Sequence, residues 1–305
     1  MIDLFTLNPD REMVLIGTCY IVIAFFIFPL YGIVLLIVHS RDEFRKNVSY
    51  KLMSLLYYFI CGQTFCHVLT GIILIFPTFQ VEFEPFVRII GCSINSMWIA
   101  MFPILAILAI SRMRITMNKA DPNQMGLGVK IALILALTVI FLIWIFGCIK
   151  QNFKFSPPGW SYDMTVEYAK FFSALELVVC IPTLTLSFSA YIIIVLQVYK
   201  KRRMASMQRS HRAECRILVQ AVIITVYLTL LIVLWYNDDE WFPDSHTTTA
   251  LLQIAWIAFG YTNPLLLITL NKGLRNQLKA TFFRKKSSGN DTHQTRGISK
   301  IVMPM

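Results

Sequence analysis

Glu176 is the one acidic residue set well inside a long apolar run, 168–198. A carboxylate in hydrocarbon is costly and must face a partner, water or a ligand. It could anchor a ligand, act as a proton-linked switch, or make a structural hydrogen bond to Ser173 or a neighbouring helix. Arg112 ends another apolar run. An arginine there either snorkels to the membrane surface or exchanges partners when helices move. Asn263-Pro264 interrupts a third run. The proline frees a backbone carbonyl beside a polar side chain, which suits a hinge as well as a packing kink. Metal or covalent chemistry has no such foothold. His39, His67, His211, His246 and His293 contain no helical i, i+4 pair, and the seven cysteines lack metal-type spacing. No catalytic site, metal or cofactor is expected.

The elements that must position these groups are seven apolar segments, at 13–38, 50–76, 86–110, 127–149, 168–198, 217–236 and 247–270. Each is long enough to cross a ~30 Å hydrocarbon core as a helix. The 305-residue chain is 56% hydrophobic and only 15% charged, with mean hydropathy +0.62. Soluble domains are about 25% charged, so a soluble enzyme and a disordered chain are both excluded. The expected fold is an all-α integral membrane bundle of seven spans, with no room for a second folded domain.

The formal net charge of +11 is a topology signal. All 28 lysines and arginines except Arg11, Arg88, Lys150, Lys154 and Lys170 fall in the first, third and fifth loops and the tail. The positive-inside rule then puts the N-terminus outside and the C-terminus in the cytosol. The basic loops are expected to meet an anionic inner leaflet and no nucleic acid.

Three local patterns resemble the rhodopsin-like G-protein-coupled receptors. Leu108-Ala109-Ile110-Ser111-Arg112-Met113 resembles their Asp/Glu-Arg-Tyr region with only the arginine kept. Asn263-Pro264-Leu265-Leu266-Leu267 resembles Asn-Pro-x-x-Tyr, with Leu267 in the tyrosine's place. Leu274, Leu278 and Phe282 recur on one face of 272–283, with Arg275 and Lys279 on the other. That resembles the amphipathic helix these receptors lay on the inner leaflet. The first span has no asparagine, the second no aspartate and the sixth no Cys-Trp-x-Pro. Such erosion resembles the nematode serpentine chemoreceptors, nearest class T, with classes X and V as neighbours. Tyr50-Lys51-Leu52-Met53, Thr70-Gly71, Trp98 and Gln253-Ile254-Ala255-Trp256 carry that similarity.

The resemblance implies a receptor domain over 1–283 and a disordered cytoplasmic tail over 284–305. A small-molecule or peptide ligand would bind in the upper bundle and activate a heterotrimeric G protein at the inner face. Arg112, Asn263, Pro264, Arg202, Arg203 and Arg216 are the candidates for switching and coupling. Asn95, Trp98, Met101, Glu176, Trp235, Tyr236, Gln253 and Trp256 are the ligand candidates, with core packing the alternative for each. A Cys92–Cys148 disulfide would echo the family's outer bridge, with buried free thiols the alternative. The plasma membrane, and by the resemblance a sensory cilium serving olfaction, is the expected location. The competing reading is a ligand-gated channel subunit of the insect odorant-receptor type, whose N-terminus lies inside, against the charge distribution.

Overall fold

The computed structural model describes residues 4–270, apart from 41, 205–207 and 244, together with residue 275. The side chains at 43, 201–218, 221 and 239 also lie outside the description. In order, the elements are α1 (Arg11–Ser40), α2 (Asp42–Lys46), α3 (Val48–Ile75), α4 (Thr78–Glu82), α5 (Glu84–Thr116), α6 (Leu127–Lys150), β1 (Phe153–Ser156), β2 (Gly159–Tyr162), α7 (Ala169–Met204), α8 (Gln208–Tyr236), α9 (Asp238–Trp241) and α10 (His246–Leu270). Among the described residues, α1, α3, α5, α6, α7 and α10 are long and apolar enough to cross a membrane, and α8 is the seventh long helix, its apolar part the shorter Val222–Tyr236. The expected amphipathic helix at 272–283 and the tail at 284–305 lie outside the described residues.

In hydrocarbon, every backbone N–H and C=O needs an internal partner, so these apolar runs become helices. Local signals set their ends. Asn47 caps α3 by accepting the Ser49 amide at 2.9 Å. Gln151, at φ 50°, ends α6 in the left-handed region. The third long helix continues past Ile110 to Thr116, since no proline or glycine interrupts 111–116.

Burial separates the helices by role. α5 is the central helix, buried along most of its length from Val87 to Ser111, whereas α6 buries only Ile140, Ile143 and Gly147. Leu127, Ile134, Leu135, Phe141 and Ile149 of α6 face outward, an apolar surface suited to lipid. Against α1, α3 packs at backbone distance: a Cβ at Gly17 would stand 2.7 Å from the Gly71 carbonyl oxygen. Tyrosines tie α10 into the bundle. Pro264 cannot donate to the carbonyl four residues back, and the Tyr31 hydroxyl donates to that Gly260 carbonyl instead, at 2.8 Å. Tyr227 of α8 donates to the Ala255 carbonyl, also at 2.8 Å.

The departure from an all-helical bundle, among the described residues, is the hairpin of β1 and β2 between α6 and α7. The strands are antiparallel, with Phe153 opposite Tyr162 and Phe155 opposite Trp160, joined through Pro157-Pro158. Hydrogen bonds at one end of the bundle join Asn8 to Ile75, Gln80 to Phe155, Arg88 to Gln151, Tyr236 to Ser173 and Thr247 to Glu12. That end therefore holds the N-terminal segment and the second, fourth and sixth loops.

Candidate functional site

The hairpin covers this end like a stopper. Gly91 of α5 makes room for it: a Cβ there would lie 2.5 Å from the Trp160 ring. Trp160 Nε1 donates to Thr70 Oγ1 at 3.0 Å, and Tyr20 donates to the Pro158 carbonyl at 3.1 Å. Ion pairs fasten the hairpin's base. Arg88 reaches Asp163 at 2.9 Å and Glu84 at 2.8 Å, and Lys154 approaches Asp163 at 3.5 Å. The Thr165 hydroxyl is the first cause holding the Asp163 carboxyl down at about 2, with Arg88 adding to it against the cost of burial.

A group so depressed contributes stability fully above its ordinary value of 3.8, and loses it as pH falls through about 2. Asp163→Asn should therefore loosen the hairpin equally at every pH from about 5 to 8. Amide exchange over 153–162 should speed up by about tenfold, the loss of one charged hydrogen bond. An effect that grows across that range would mean another group holds the loop.

Beneath the hairpin lies a cavity of about 30 Å³. Glu176 of α7 lies in its wall, 7% exposed. Its two oxygens accept from Trp98 Nε1 at 3.1 Å and from the Tyr162 hydroxyl at 2.7 Å. Burial, first, and the neighbouring Glu176 hold the Tyr162 phenol well above its usual range, so Tyr162 is the donor. Asn95 donates in turn to the Tyr162 oxygen at 2.6 Å. Trp256 packs edge-on between Trp98 and Trp235, with centroids 5.4 and 5.1 Å away.

Of the residues proposed from sequence for a ligand, Asn95, Trp98, Glu176, Trp235, Tyr236 and Trp256 meet at this cavity. Met101 and Gln253 do not line it. Met101 is fully buried among the helices. Gln253 turns to α3, where its Nε2 meets His67 Nδ1 at 3.0 Å. His67 is thus a bundle histidine paired with Gln253, and Glu176 bonds to Trp98 and Tyr162 in place of Ser173. Sequence reading missed Tyr162 and Phe153, whose signal was the alternation 153–156, Pro157-Pro158-Gly159 and then 160–162. Cys92 and Cys148 are free thiols, and Cys92 Sγ donates to Asn152 Oδ1 at 3.6 Å.

At the opposite end, Arg112, Asn263 and Gln220 line a second cavity of about 20 Å³. Arg112 Nη2 lies 3.2 Å from Met53 Sδ, and the Tyr191 hydroxyl is also its neighbour. Gln220 Nε2 donates to Asn263 Oδ1 at 3.4 Å. Arg112 Nε and Asn263 Nδ2 are buried without a partner. So the two switch candidates from different helices share one small cavity, walled largely by Met53, Leu56, Leu105, Leu108 and Ile224. Pro264 sits beside it, in the same turn as Asn263. The side chains of Arg202, Arg203 and Arg216 lie outside the described residues, although the backbone there is helical.

Comparison with known proteins places this architecture. The crystal structure of squid rhodopsin superposes with a TM-score of 0.59 over 92% of this chain and 87% of that one, at 14% identity, which speaks for the fold alone. No curated protein matches by sequence. Residues 5–291 match the family described as serpentine type 7TM GPCR chemoreceptor Srt, the class T of the sequence resemblance. The chain belongs to the Srt family of serpentine seven-transmembrane G-protein-coupled chemoreceptors.

Proposed function

We propose that this chemoreceptor takes a small organic cation into the cavity beneath the hairpin and activates a heterotrimeric G protein through Arg112. In this reading the N-terminus and hairpin face outside, and the C-terminus faces the cytosol of the plasma membrane. The observation that carries it is Glu176: a buried carboxyl beside the rings of Trp98, Trp235 and Trp256, with no ion pair to any described residue. A cation brings the missing opposite charge, and the indole faces attract it further. Asp238 and Glu240 of α9, on the adjoining loop, raise the local concentration of cations. At about 30 Å³ the cavity holds little more than water in this packing, so a small ligand must widen it and a peptide far more so. Entry would part Tyr236 from Ser173, a single 3.3 Å hydrogen bond between α8 and α7.

The test expresses the chain in cells with a second-messenger readout and whole-cell recording. Small amines and quaternary ammonium ions are applied beside neutral isosteres and volatiles, with G-protein turnover blocked in a parallel set. A second-messenger response to cations that the block removes is expected. A fast current that survives the block would replace this reading with a channel of opposite orientation.

A further inference from the structure

The cavity at Arg112 lies where α3, α5, α7, α8 and α10 come together. Its volume of about 20 Å³ exceeds the ~10–15 Å³ that a water-sized particle needs. Nothing polyatomic fits that space in this packing. The unpaired polar atoms of its lining residues are hydrogen-bond donors. Asn263 is 2% exposed, and its Oδ1 accepts from Gln220 Nε2, while its Nδ2 has no partner. Arg112 Nε is also buried without a partner. Arg112 Nη2 meets the Met53 thioether, a weak acceptor.

Charge points the same way. A guanidinium keeps its proton throughout the physiological range, so Arg112 brings a full positive charge to this wall. No described carboxylate pairs with it. Leu56, Leu105, Leu108 and Ile224 make much of the remaining lining apolar. In such surroundings a charge without a counter-ion is costly. A water molecule would bring acceptor lone pairs and no charge. A small anion brings both.

We infer that this cavity binds one monatomic anion, chloride, between the Arg112 guanidinium and the Asn263 amide. A guanidinium is weakly hydrated and suits a buried ion pair. The bound ion ties α5 to α10 in the closed packing. It does with a diffusible charge what a fixed acidic neighbour would do at position 111, where Ser111 stands. Binding itself does not depend on the proposed function. Its consequence does: chloride holds the switch arginine closed, so it lowers signalling in the absence of ligand.

The test uses the purified full chain in detergent, with no agonist or G protein, so its failure is distinct from failure of the receptor reading. Thermal unfolding is followed in potassium chloride and in potassium gluconate at equal ionic strength. Chloride at about ten times its half-saturating level should raise the midpoint by about 3 °C. The rise should saturate, and bromide should reproduce it. Arg112→Gln should abolish it. Asn263→Asp separates site from fold, because it sets a fixed carboxylate across the cavity from Arg112. That variant should lose the chloride response while its stability in gluconate holds or rises. Arg45→Gln/Lys46→Gln removes exposed charge from the first loop and should keep the full response. Glu214 of α8, whose side chain lies outside the described residues, is the competing counter-charge. Glu214→Gln should leave the chloride response as it is. Equal midpoints in chloride and gluconate would overturn the assignment and leave water as the occupant. A full response in Arg112→Gln or Asn263→Asp, or a response seen only in Glu214→Gln, would overturn it as well.

Discussion

Arg112→Glu should abolish G-protein activation while the receptor still reaches the cell surface. Arg112 lies between α3, α5 and α7, held by the soft contact to Met53 Sδ at 3.2 Å and by Tyr191. Ser111 stands where an acidic neighbour would form a lock, and no described carboxylate pairs with Arg112. A thioether is a weak acceptor for a guanidinium. In this packing Arg112 Nε and Asn263 Nδ2 are also unpaired, each costing about 1–3 kcal/mol.

The proposed switch uses that imbalance. If α8 and α10 move away from α5 at Pro264, the guanidinium gains polar partners on a G protein that the closed packing withholds. Reversing the charge replaces an attraction with a repulsion, so maximal signalling should fall by about 100-fold or more, equivalent to ~3 kcal/mol. The weak lock also implies measurable activity without ligand, which Arg112→Glu should remove as well. Comparable surface labelling of the two receptors makes the comparison fair. Coupling at wild-type strength in the variant would return Arg112 to a snorkelling charge.

The bundle was legible in sequence because crossing a membrane is a local property. A run of apolar residues of sufficient length satisfies its own backbone as a helix whatever lies beside it. The hairpin was not legible in that way. Its strands are four residues each, and their support comes from Gly91 and Thr70 on other helices. Glu176 announced itself by the cost of placing a carboxyl in hydrocarbon, yet its partners were hidden. Tyr162 ends a strand of four residues, whose alternation is too short to say what it packs against, and the Trp98 contact depends on how α5 and α7 face each other. The same applies to Pro264. The freed carbonyl was predictable, but the donor that satisfies it, Tyr31, lies on the first helix. Sequence thus identified groups under stress, while the resolution of each stress was a property of the assembled bundle.

Glu176→Gln carries the second large effect, because it changes one charge while keeping the side chain's length and one acceptor oxygen. If Glu176 pairs with an organic cation, potency for that cation should fall by about 100-fold, the ~3 kcal/mol of a charge-assisted contact in a desolvated site. A neutral isostere of the same shape should lose little. The amide also presents N–H groups to two neighbours that are themselves donors, Trp98 Nε1 and the Tyr162 hydroxyl. Some loss of thermal stability is therefore expected from the substitution whatever Glu176 does. Tyr162→Phe isolates that cost, since it removes the 2.7 Å bond while leaving the carboxyl in place. A cation anchor predicts that Tyr162→Phe keeps the preference for cations over neutral isosteres and that Glu176→Gln erases it. A purely structural Glu176 predicts reduced surface expression in both variants with the ligand preference intact. Because the ratio of cation to neutral potency is read within one receptor, it is independent of expression. An unchanged ratio in Glu176→Gln would exclude the carboxyl as the ligand's counter-charge and leave the aromatic wall of Trp98, Trp235 and Trp256 to select an uncharged compound.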